Sequence, residues 1–301
     1  MKLNKYKVDY LREMLDKFYM YPSSALWRSI ELNLLSKLDY QQNSSILDLG
    51  CGDGYFTTLL LKDRNLKIEA GVDISEKAIY KARKLNEKSR IYKTLVVANA
   101  YNLPYKDKSF STVFSNCSIE HILDLERVLR GVYRVLEDNG RFIFTVPSPY
   151  FGKYSYIYSF FEKRRLFKIA KCYMHYVNRK LAHYNCFEPE IWKEHLKVAG
   201  LELVVYKYYI TPEVAKIFDI LELIYTLGIW KFRINAFLMR FSLLLESLGV
   251  KFHKELLIKV NYDFLKRYIE VENKSNKNMG AAILLIAEKN SNQALEHRGL
   301  I

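Results

Sequence analysis

The chain has 301 residues and a formal net charge of +14, from 47 Lys and Arg against 33 Asp and Glu. Half of its residues are hydrophobic and 27% are charged, which excludes wholesale disorder, and its 12 Gly and 6 Pro exclude a collagen-like or low-complexity architecture. The positive charge predicts attraction to anions, whether nucleic acid, an acidic membrane surface or phosphorylated substrates.

Short apolar runs alternate with longer helical stretches from Ser44 onward. The apolar runs predict strands at Ser45–Leu49, Ile68–Ile74, Leu95–Ala98, Thr112–Ser115, Arg141–Val146, Leu203–Ile210 and Ala281–Ala287. Helices are predicted at Tyr55–Lys62, from an N-cap at Ser75 to Lys88, from Leu125 to Leu136 with a stop at Asn139-Gly140, and at Pro189–Ala199. Strands and helices that alternate at this spacing predict βαβ units and a parallel sheet.

Two apolar stretches, Ile217–Trp230 and Ile234–Val250, are each interrupted by charged residues. We therefore predict buried or surface-lying helices there, and no membrane span. The four cysteines form no CxxC pair, which indicates neither a zinc site nor a disulfide framework. Met1–Tyr10 lacks the apolar segment of a secretory signal, so a cytoplasmic location is expected, including the inner membrane surface.

A glycine-rich turn follows the first predicted strand, in the segment Ile46-Leu-Asp-Leu-Gly-Cys-Gly-Asp-Gly54. Its three glycines let the backbone turn tightly and approach a ligand that a Cβ would exclude. Asp48 precedes the glycines, and Asp73 ends the second strand, where a carboxylate can accept hydrogen bonds from ribose hydroxyls. The spacing is GxGxG and not the GxGxxG of dinucleotide folds, and with the two aspartates it indicates an adenosine-containing ligand.

This turn resembles motif I of the class I S-adenosylmethionine (SAM)-dependent methyltransferases of the type 11 group. Further segments are similar to that family in the same order, at Gly71–Ser75, Ala98–Tyr105, Ser109–Ile122 and Arg134–Arg141. The similarity covers Ser44–Val146 well, and Pro189–Ile210 with Ala281–Lys289 more loosely. It implies an α/β fold with a Rossmann-like, seven-stranded, mostly parallel sheet, helices on both faces and helical cap insertions.

The resemblance also implies SAM as the cofactor, and it implies no metal because the sulfonium carries its own leaving group. The residues to which it assigns cofactor binding are Asp48, Gly50, Cys51, Gly52, Gly54, Asp73, Ile74, Asn99, Ala100 and Asn116. Among these, Asp48 would hold the amino-acid end of SAM, Asp73 would take the ribose hydroxyls, and Ile74 would pack on the adenine.

Three positions depart from the family pattern. Asn99 stands where the family has an aspartate that accepts a hydrogen bond from the adenine amino group, and its amide oxygen keeps the acceptor without the charge. Ser111 replaces an aspartate after Phe110, and we expect it to affect structure only. Asn139 replaces a glycine before the fifth strand, and asparagine also tolerates the left-handed conformation.

A hydroxyl or amine acceptor can require a base, and the candidates are Glu120, His121 and His183. Glu120 and His121 follow the fourth strand, at the edge where parallel sheets bind ligands, and histidine removes protons near neutral pH. The alternatives are that His121 caps or packs a helix and that His183 belongs to loop structure. Cys51 and Cys117 are expected to be small fillers beside the cofactor, since no base lies near them in sequence.

The segments outside the predicted core give the domain boundaries. We predict an N-terminal helical cap at 1–43, the SAM-binding core at 44–146, a basic aromatic cap insertion at 147–187, core continuation at 188–210, a helical cap insertion at 211–279, and the last core strand with a tail at 280–301. The 147–187 insertion holds eight Lys or Arg against the single acid Glu162, and twelve Tyr or Phe. Because both insertions leave the sheet at its ligand edge, we expect them to cover the cofactor and form the acceptor site.

These features favour SAM-dependent methyl transfer to a small or amphiphilic acceptor that is anionic or lipid-linked, with O-, N- and C-methylation all open. An RNA methyltransferase is the first alternative, in which the basic insertion would track phosphates and stack bases. A non-catalytic SAM-fold scaffold is the second, and the intact glycine turn with Asp73 argues against it. The expected partners are the acceptor and a peripherally contacted anionic membrane, rather than nucleic acid. The alternative for the basic insertion is a solvated helix face.

Overall fold

The structure is a computed structural model, which describes residues 8–40, 44–62, 64, 66–226, 228–229, 232–233, 252–274 and 278–290. Its helices are α1 (Tyr10–Lys17), α2 (Pro22–Leu35), α3 (Tyr55–Leu61), α4 (Glu76–Ser89), α5 (Leu125–Val135), α6 (Tyr156–Lys163), α7 (Phe167–Lys180), α8 (Pro189–Val198), α9 (Pro212–Thr226) and α10 (Phe252–Lys274). Its strands are β1 (Ile46–Leu49), β2 (Ile68–Asp73), β3 (Tyr92–Val97), β4 (Phe110–Asn116), β5 (Leu136–Pro147), β6 (Leu201–Tyr209), β7 (Gly228–Ile229), β8 (Phe232–Arg233) and β9 (Ala282–Lys289).

Seven strands form one sheet in the order β3-β2-β1-β4-β5-β9-β6. The pairs β1–β2, β1–β4, β2–β3 and β4–β5 are parallel, whereas β9 runs antiparallel to β5. The chain order reverses at β1, which lies between β2 and β4, and such a reversal opens a crevice at the carboxyl ends of the strands. The predicted seven-stranded, mostly parallel Rossmann-like sheet is confirmed.

The junction of α5 and β5 differs from the sequence prediction, which placed the stop of the helix at Asn139-Gly140. α5 ends at Val135, and β5 begins at Leu136 with a register irregularity opposite Phe110 to Thr112. The Nζ of Lys289 donates hydrogen bonds to the carbonyls of Tyr133 and Leu136, at 2.8 and 2.7 Å. A cation from a distant strand therefore satisfies carbonyls at the end of the helix, a contact that local sequence does not reveal.

The α4–β3 connection also depends on side chains. Ser75 Oγ accepts a hydrogen bond from the backbone N–H of Ala78 at 3.2 Å, so the predicted N-cap of α4 is confirmed. β3 begins at Tyr92, three residues before the predicted start at Leu95. The Asn86 amide explains the earlier start, because it donates to the carbonyl of Tyr92 at 2.8 Å and accepts from its N–H at 2.9 Å.

The described chain divides into two compact units. The sheet unit comprises Asp39–Pro149, Val177–Tyr208 and Ala282–Ile301, and the helical unit comprises Met1–Leu38, Tyr150–Tyr176 and Tyr209–Ala281. The core of the sheet unit includes the packed rings of Phe142, Phe144 and Trp192, with the last two centroids 5.1 Å apart. The proposed covering of the cofactor by the two insertions stays a prediction.

The helical unit joins three separate chain segments around aromatic and polar contacts. The Trp27 ring packs against Phe151 and Phe218, with centroids 5.6 and 5.2 Å apart. The buried Glu272 carboxylate accepts the backbone N–H groups of Ile210 and Thr211, at 2.8 and 2.9 Å. These buried polar groups are thus hydrogen-bonded, as the low dielectric of a protein interior requires.

None of the helices in the described residues combines the length and hydrophobicity needed to cross a membrane. Ile217–Thr226, the first part of one predicted apolar stretch, forms the end of α9. The other apolar stretch, Ile234–Val250, lies outside the described residues.

Candidate active site

The glycine turn after β1 adopts a backbone that favours glycine at three positions. The φ angles of Gly50, Gly52 and Gly54 are 76°, 58° and 71°, all in the left-handed region. The N–H of Gly50 donates to the carbonyl of Val72 at 2.8 Å, which ties the turn to β2. A Cβ at Gly50 would lie 2.0 Å from the Ser118 hydroxyl oxygen, so this position excludes any side chain.

Asp73 ends β2 with its carboxylate held against this turn. Oδ2 accepts the backbone N–H of Gly52 at 2.9 Å, and Oδ1 accepts the N–H of Ser75 at 2.8 Å. Each carboxylate oxygen has a second lone pair, so these bonds orient the group and leave acceptor capacity for a ligand. The half-buried carboxylate is therefore a fixed acceptor at the carboxyl edge of the sheet.

A cavity of about 330 Å³ opens at this edge, within the sheet unit. Six of its lining residues were predicted to bind the cofactor or to act in catalysis: Gly50, Asp73, Ile74, Asn99, Ala100 and His121. Six others were missed: Leu49, Val72, Ala98, Tyr101, Ser118 and Ile122. Ile74 is 68% exposed, so the cavity offers an apolar surface that the protein itself leaves uncovered.

Two of the missed residues carried signals in the sequence. A glycine required at position 50 indicates that another residue packs closely against it, and in the structure that residue is Ser118. Tyr101 follows Ala100 in the segment that resembles the family, and its hydroxyl accepts the backbone N–H of Asp124 at 3.2 Å. The N–H of Tyr101 in turn donates to Asn99 Oδ1 at 2.9 Å, which fixes the amide at the cavity edge.

Asp48 lies below the turn and does not line the cavity. Its carboxyl is 1% exposed and accepts the hydroxyl proton of Tyr92 at 2.6 Å. Burial raises the pKa of Asp48 to about 6, against the lowering effect of hydrogen bonds from Tyr92 and Thr57. The structure gives Asp48 a supporting position under the glycine turn, and its contact with the amino-acid end of SAM stays a prediction.

Of the other predicted cofactor residues, Cys51, Gly52, Gly54 and Asn116 do not line the cavity either. Gly54 is the left-handed N-cap residue of α3. The Asn116 amide donates to Thr145 Oγ1 at 2.7 Å, which ties β4 to β5. Burial and the nearby carboxylates raise the pKa of the Cys51 thiol far above its ordinary value, so the thiol is protonated at neutral pH and is no nucleophile.

His121 stands on the cavity wall, in a single 3-10 turn that follows β4. Its Nδ1 lies 3.1 Å from the carbonyl oxygen of Ala182, and a carbonyl only accepts. We therefore assign the proton of the neutral ring to Nδ1, which leaves the lone pair on Nε2. Nε2 is 3.6 Å from Glu120 Oε1, close enough for that carboxylate to stabilise the ring once it is protonated.

The three predicted base candidates come together, although His183 lies 62 residues after His121 in the chain. The carbonyl of buried Glu120 accepts the N–H of Tyr184 at 2.8 Å, and the Asn185 amide donates to the carbonyls of Ile119 and Ile122. The His183 and His121 rings are 5.6 Å apart. Burial, followed by the charge of His121, lowers the pKa of His183 to about 4, so His183 is neutral at physiological pH.

The cavity suits SAM on its own chemistry. The Asp73 carboxylate is oriented to accept hydroxyl donors, and exposed Ile74 provides an apolar face for an aromatic ring. A Cβ built on Gly52 meets nothing within 4 Å, so the backbone there is open to a close ligand. Asp73, Ile74 and the backbone at Gly50 are the cavity residues that would hold the cofactor.

Comparisons with known proteins match part of this chain to methyltransferases. The family model for a methyltransferase domain matches residues 47–144. The demethylmenaquinone methyltransferase of Symbiobacterium thermophilum is 30% identical over 49% of this chain and 63% of its own length. The sarcosine/dimethylglycine N-methyltransferase of Halorhodospira halochloris is 36% identical over 35% of this chain and 38% of its own length.

A solved structure extends the similarity in fold. The chain matches a SAM-dependent methyltransferase from Thermotoga maritima with a TM-score of 0.51 and 17% identity, over 93% of this chain and 100% of the other. The chain spans 51 to 67% of the length of the first curated relatives it matches. The matched domain, the sheet topology and the glycine turn with Asp73 identify a class I SAM-dependent methyltransferase domain within this chain.

Proposed function

We propose that this protein transfers the methyl group of SAM to an amphiphilic small molecule, with His121 as the general base. The observation that carries the proposal is the position of His121, on the wall of the cavity that also contains Asp73 and Ile74. When bound, SAM supplies a methyl group on a sulfonium, which is activated for in-line displacement. The protein then has to position the acceptor and take its proton.

The surroundings of His121 support its role as the base. Its Nδ1–H donates to the Ala182 carbonyl, so Nε2 accepts the acceptor's proton while the methyl group forms its new bond. The Glu120 carboxylate, 3.6 Å from Nε2, stabilises the resulting imidazolium. Because His183 stays neutral, it adds no competing positive charge beside the ring.

Support for an amphiphilic acceptor comes from two independent sources. One relative is named as a demethylmenaquinone methyltransferase, that is, for a quinone acceptor. In this chain, 24 Tyr and 17 Phe accompany a charge of +14. Aromatic side chains and cations are suited to an acceptor with a greasy portion and an anionic or polar head.

The test is methyl transfer from radiolabelled SAM to three candidate acceptors, namely demethylmenaquinone, sarcosine and single-stranded RNA. We expect label in the quinone and none in sarcosine. Label in sarcosine alone would contradict the amphiphilic acceptor, and label in single-stranded RNA would favour the RNA methyltransferase. SAM binding without transfer to any of the three would favour the non-catalytic scaffold.

A further inference from the structure

A basic and apolar corner joins two helices of the helical unit. We define the α6–α7 corner as residues 160–171, from the last turn of α6 to the first turn of α7. Every residue from Glu162 to Ile169 is exposed, and Arg165 has a left-handed φ of 59° that sets the turn between the helices. The chain thus presents eight consecutive residues to solvent at one place.

The apolar residues of this corner are large and more than a third exposed. Phe160, Leu166, Phe167 and Ile169 are 39, 41, 53 and 47% exposed. Single exposed apolar side chains are ordinary, whereas four within ten residues form a patch that marks an interaction surface. Two of the four, Leu166 and Ile169, are aliphatic, and this property helps to distinguish a lipid partner from a nucleic acid.

Four cations of the corner have no carboxylate within ion-pair distance among the described residues. Lys163, Arg165, Lys168 and Lys171 make no ion pair among the residues that the structure describes. Other exposed cations are paired, such as Lys93 with Glu69. Their charge is therefore available to an external anion.

The corner rests on a fixed support. Ala170 is buried, and the hydroxyl of Tyr173 donates to the Asp219 carboxylate of α9 at 3.1 Å. The N–H of Ile157 donates to the same carboxylate at 3.2 Å, so Asp219 holds both α6 and α7. The Arg164 guanidinium lies 3.6 Å from the Phe160 ring centroid. Inward contacts on one face of α7 leave Phe167, Lys168 and Lys171 on the outward side.

We propose that the α6–α7 corner docks this protein on the surface of an anionic phospholipid bilayer. Cations would lie at the headgroups, and Leu166, Phe167 and Ile169 would enter the boundary with the acyl chains, as in helices that lie in the interface. RNA would use the cations and the aromatic rings, but it gives no role to the exposed aliphatic residues Leu166 and Ile169. The combination of both residue classes favours lipid.

The experiment is co-sedimentation of the full chain with vesicles of phosphatidylcholine alone and of phosphatidylcholine mixed with phosphatidylglycerol. The cation variant carries Lys163→Gln, Arg165→Gln and Lys168→Gln, and the apolar variant carries Leu166→Ser and Ile169→Ser. The matched control carries Lys77→Gln, Lys81→Gln and Lys88→Gln on the exposed face of α4, with the same change in charge. Thermal unfolding and SAM titration establish that each variant is folded.

We expect the wild type to bind the anionic vesicles, and the cation variant to bind about 100-fold more weakly, at about fivefold per cation. The apolar variant should also bind more weakly, including at high salt, while the α4 control binds like the wild type. Equal binding to both vesicle types, or an equal loss in the control, would overturn the proposal. The proposal would also fail if polyuridylate bound more tightly than anionic vesicles. It would fail too if the apolar variant lost self-association but bound vesicles like the wild type.

Because the readout is vesicle binding, its outcome is separate from the proposed methyl transfer. If the protein binds lipid through the corner but leaves demethylmenaquinone unlabelled, the proposed acceptor is refuted and the proposed docking surface stands. Transfer to the quinone without vesicle binding would do the reverse.

Discussion

The backbone N–H of Gly52 donates to the Asp73 carboxylate at 2.9 Å, so the glycine turn after β1 and the acidic end of β2 form one hydrogen-bonded unit. The second oxygen of Asp73 accepts from Ser75 at the start of α4. Removal of this carboxylate therefore affects both the shape of the turn and the acceptor offered to a ribose. In the same turn, Ser118 packs so closely against Gly50 that a Cβ there would clash with its side chain.

Gly50→Ala should destabilise the protein by about 1–3 kcal/mol and weaken SAM binding, because its Cβ would clash with Ser118 and its φ of 76° disfavours alanine. For unfolding stability, Gly52→Ala is the matched control, since its Cβ meets no atom of the described residues within 4 Å and it carries only the φ cost, about 1 kcal/mol. Urea unfolding measures both. The double variant Gly50→Ala with Ser118→Gly should recover part of the loss, and no recovery would argue against the clash.

His121→Ala should lower kcat with demethylmenaquinone, the proposed acceptor, by about 100-fold or more, while the SAM dissociation constant changes little, because a general base acts in the transition state. The control is His175→Ala, an exposed histidine of α7, which should leave kcat unchanged. If His121 only packs the 3-10 turn, stability and SAM affinity will fall together with kcat.

The pKa of His183 is lowered from 6.5 to about 4, so between these values the unfolded chain binds a proton that the native protein does not. The free energy of unfolding should therefore fall as the pH falls through this window. His183→Gln should remove that part of the pH dependence in urea titrations at several pH values. An identical pH profile for the variant would show that His183 titrates normally in the fold.

Asp48 acts in the opposite direction, because burial raises its pKa from 3.8 to about 6. The native state binds the extra proton, so the free energy of unfolding should fall by about 3 kcal/mol as the pH rises from about 4 to 6 and then level off. Asp48→Asn should remove this component. Tyr92→Phe deletes a hydrogen bond that lowers this pKa, so it should extend the window above pH 6.

The sequence predicted the turn, Asp73 and Ile74 because the backbone geometry of a strand–turn–helix unit is encoded locally, in glycines and strand-ending residues. It also placed Glu120 and His121 after β4. Contacts between distant segments were not predictable in this way. Three such contacts depend on tertiary packing. They are the Ala182 carbonyl at Nδ1 of His121, the Tyr92 hydroxyl on the Asp48 carboxylate, and the Lys289 amine at the end of α5.

The buried position of Asp48 shows the same limit. A carboxylate before a glycine turn indicates a ligand contact, yet in the fold β3 brings Tyr92 against it and the cavity wall forms from its neighbour Leu49. The lining residues Ala98 and Ile122 lie in segments that resemble the family, but small and apolar side chains are common there without a ligand, so neither was singled out.

We infer that Asp73 holds SAM in the cavity at the carboxyl edge of the sheet. Calorimetric titration of SAM into the wild type, Asp73→Ala and the control Asp107→Ala tests it directly, since Asp107 is an exposed carboxylate paired with Arg134. We predict about 10- to 100-fold weaker binding for Asp73→Ala, because ribose hydroxyls lose a charged acceptor, and wild-type affinity for the control. Unchanged SAM affinity in Asp73→Ala, or binding of NAD in place of SAM, would contradict the assignment.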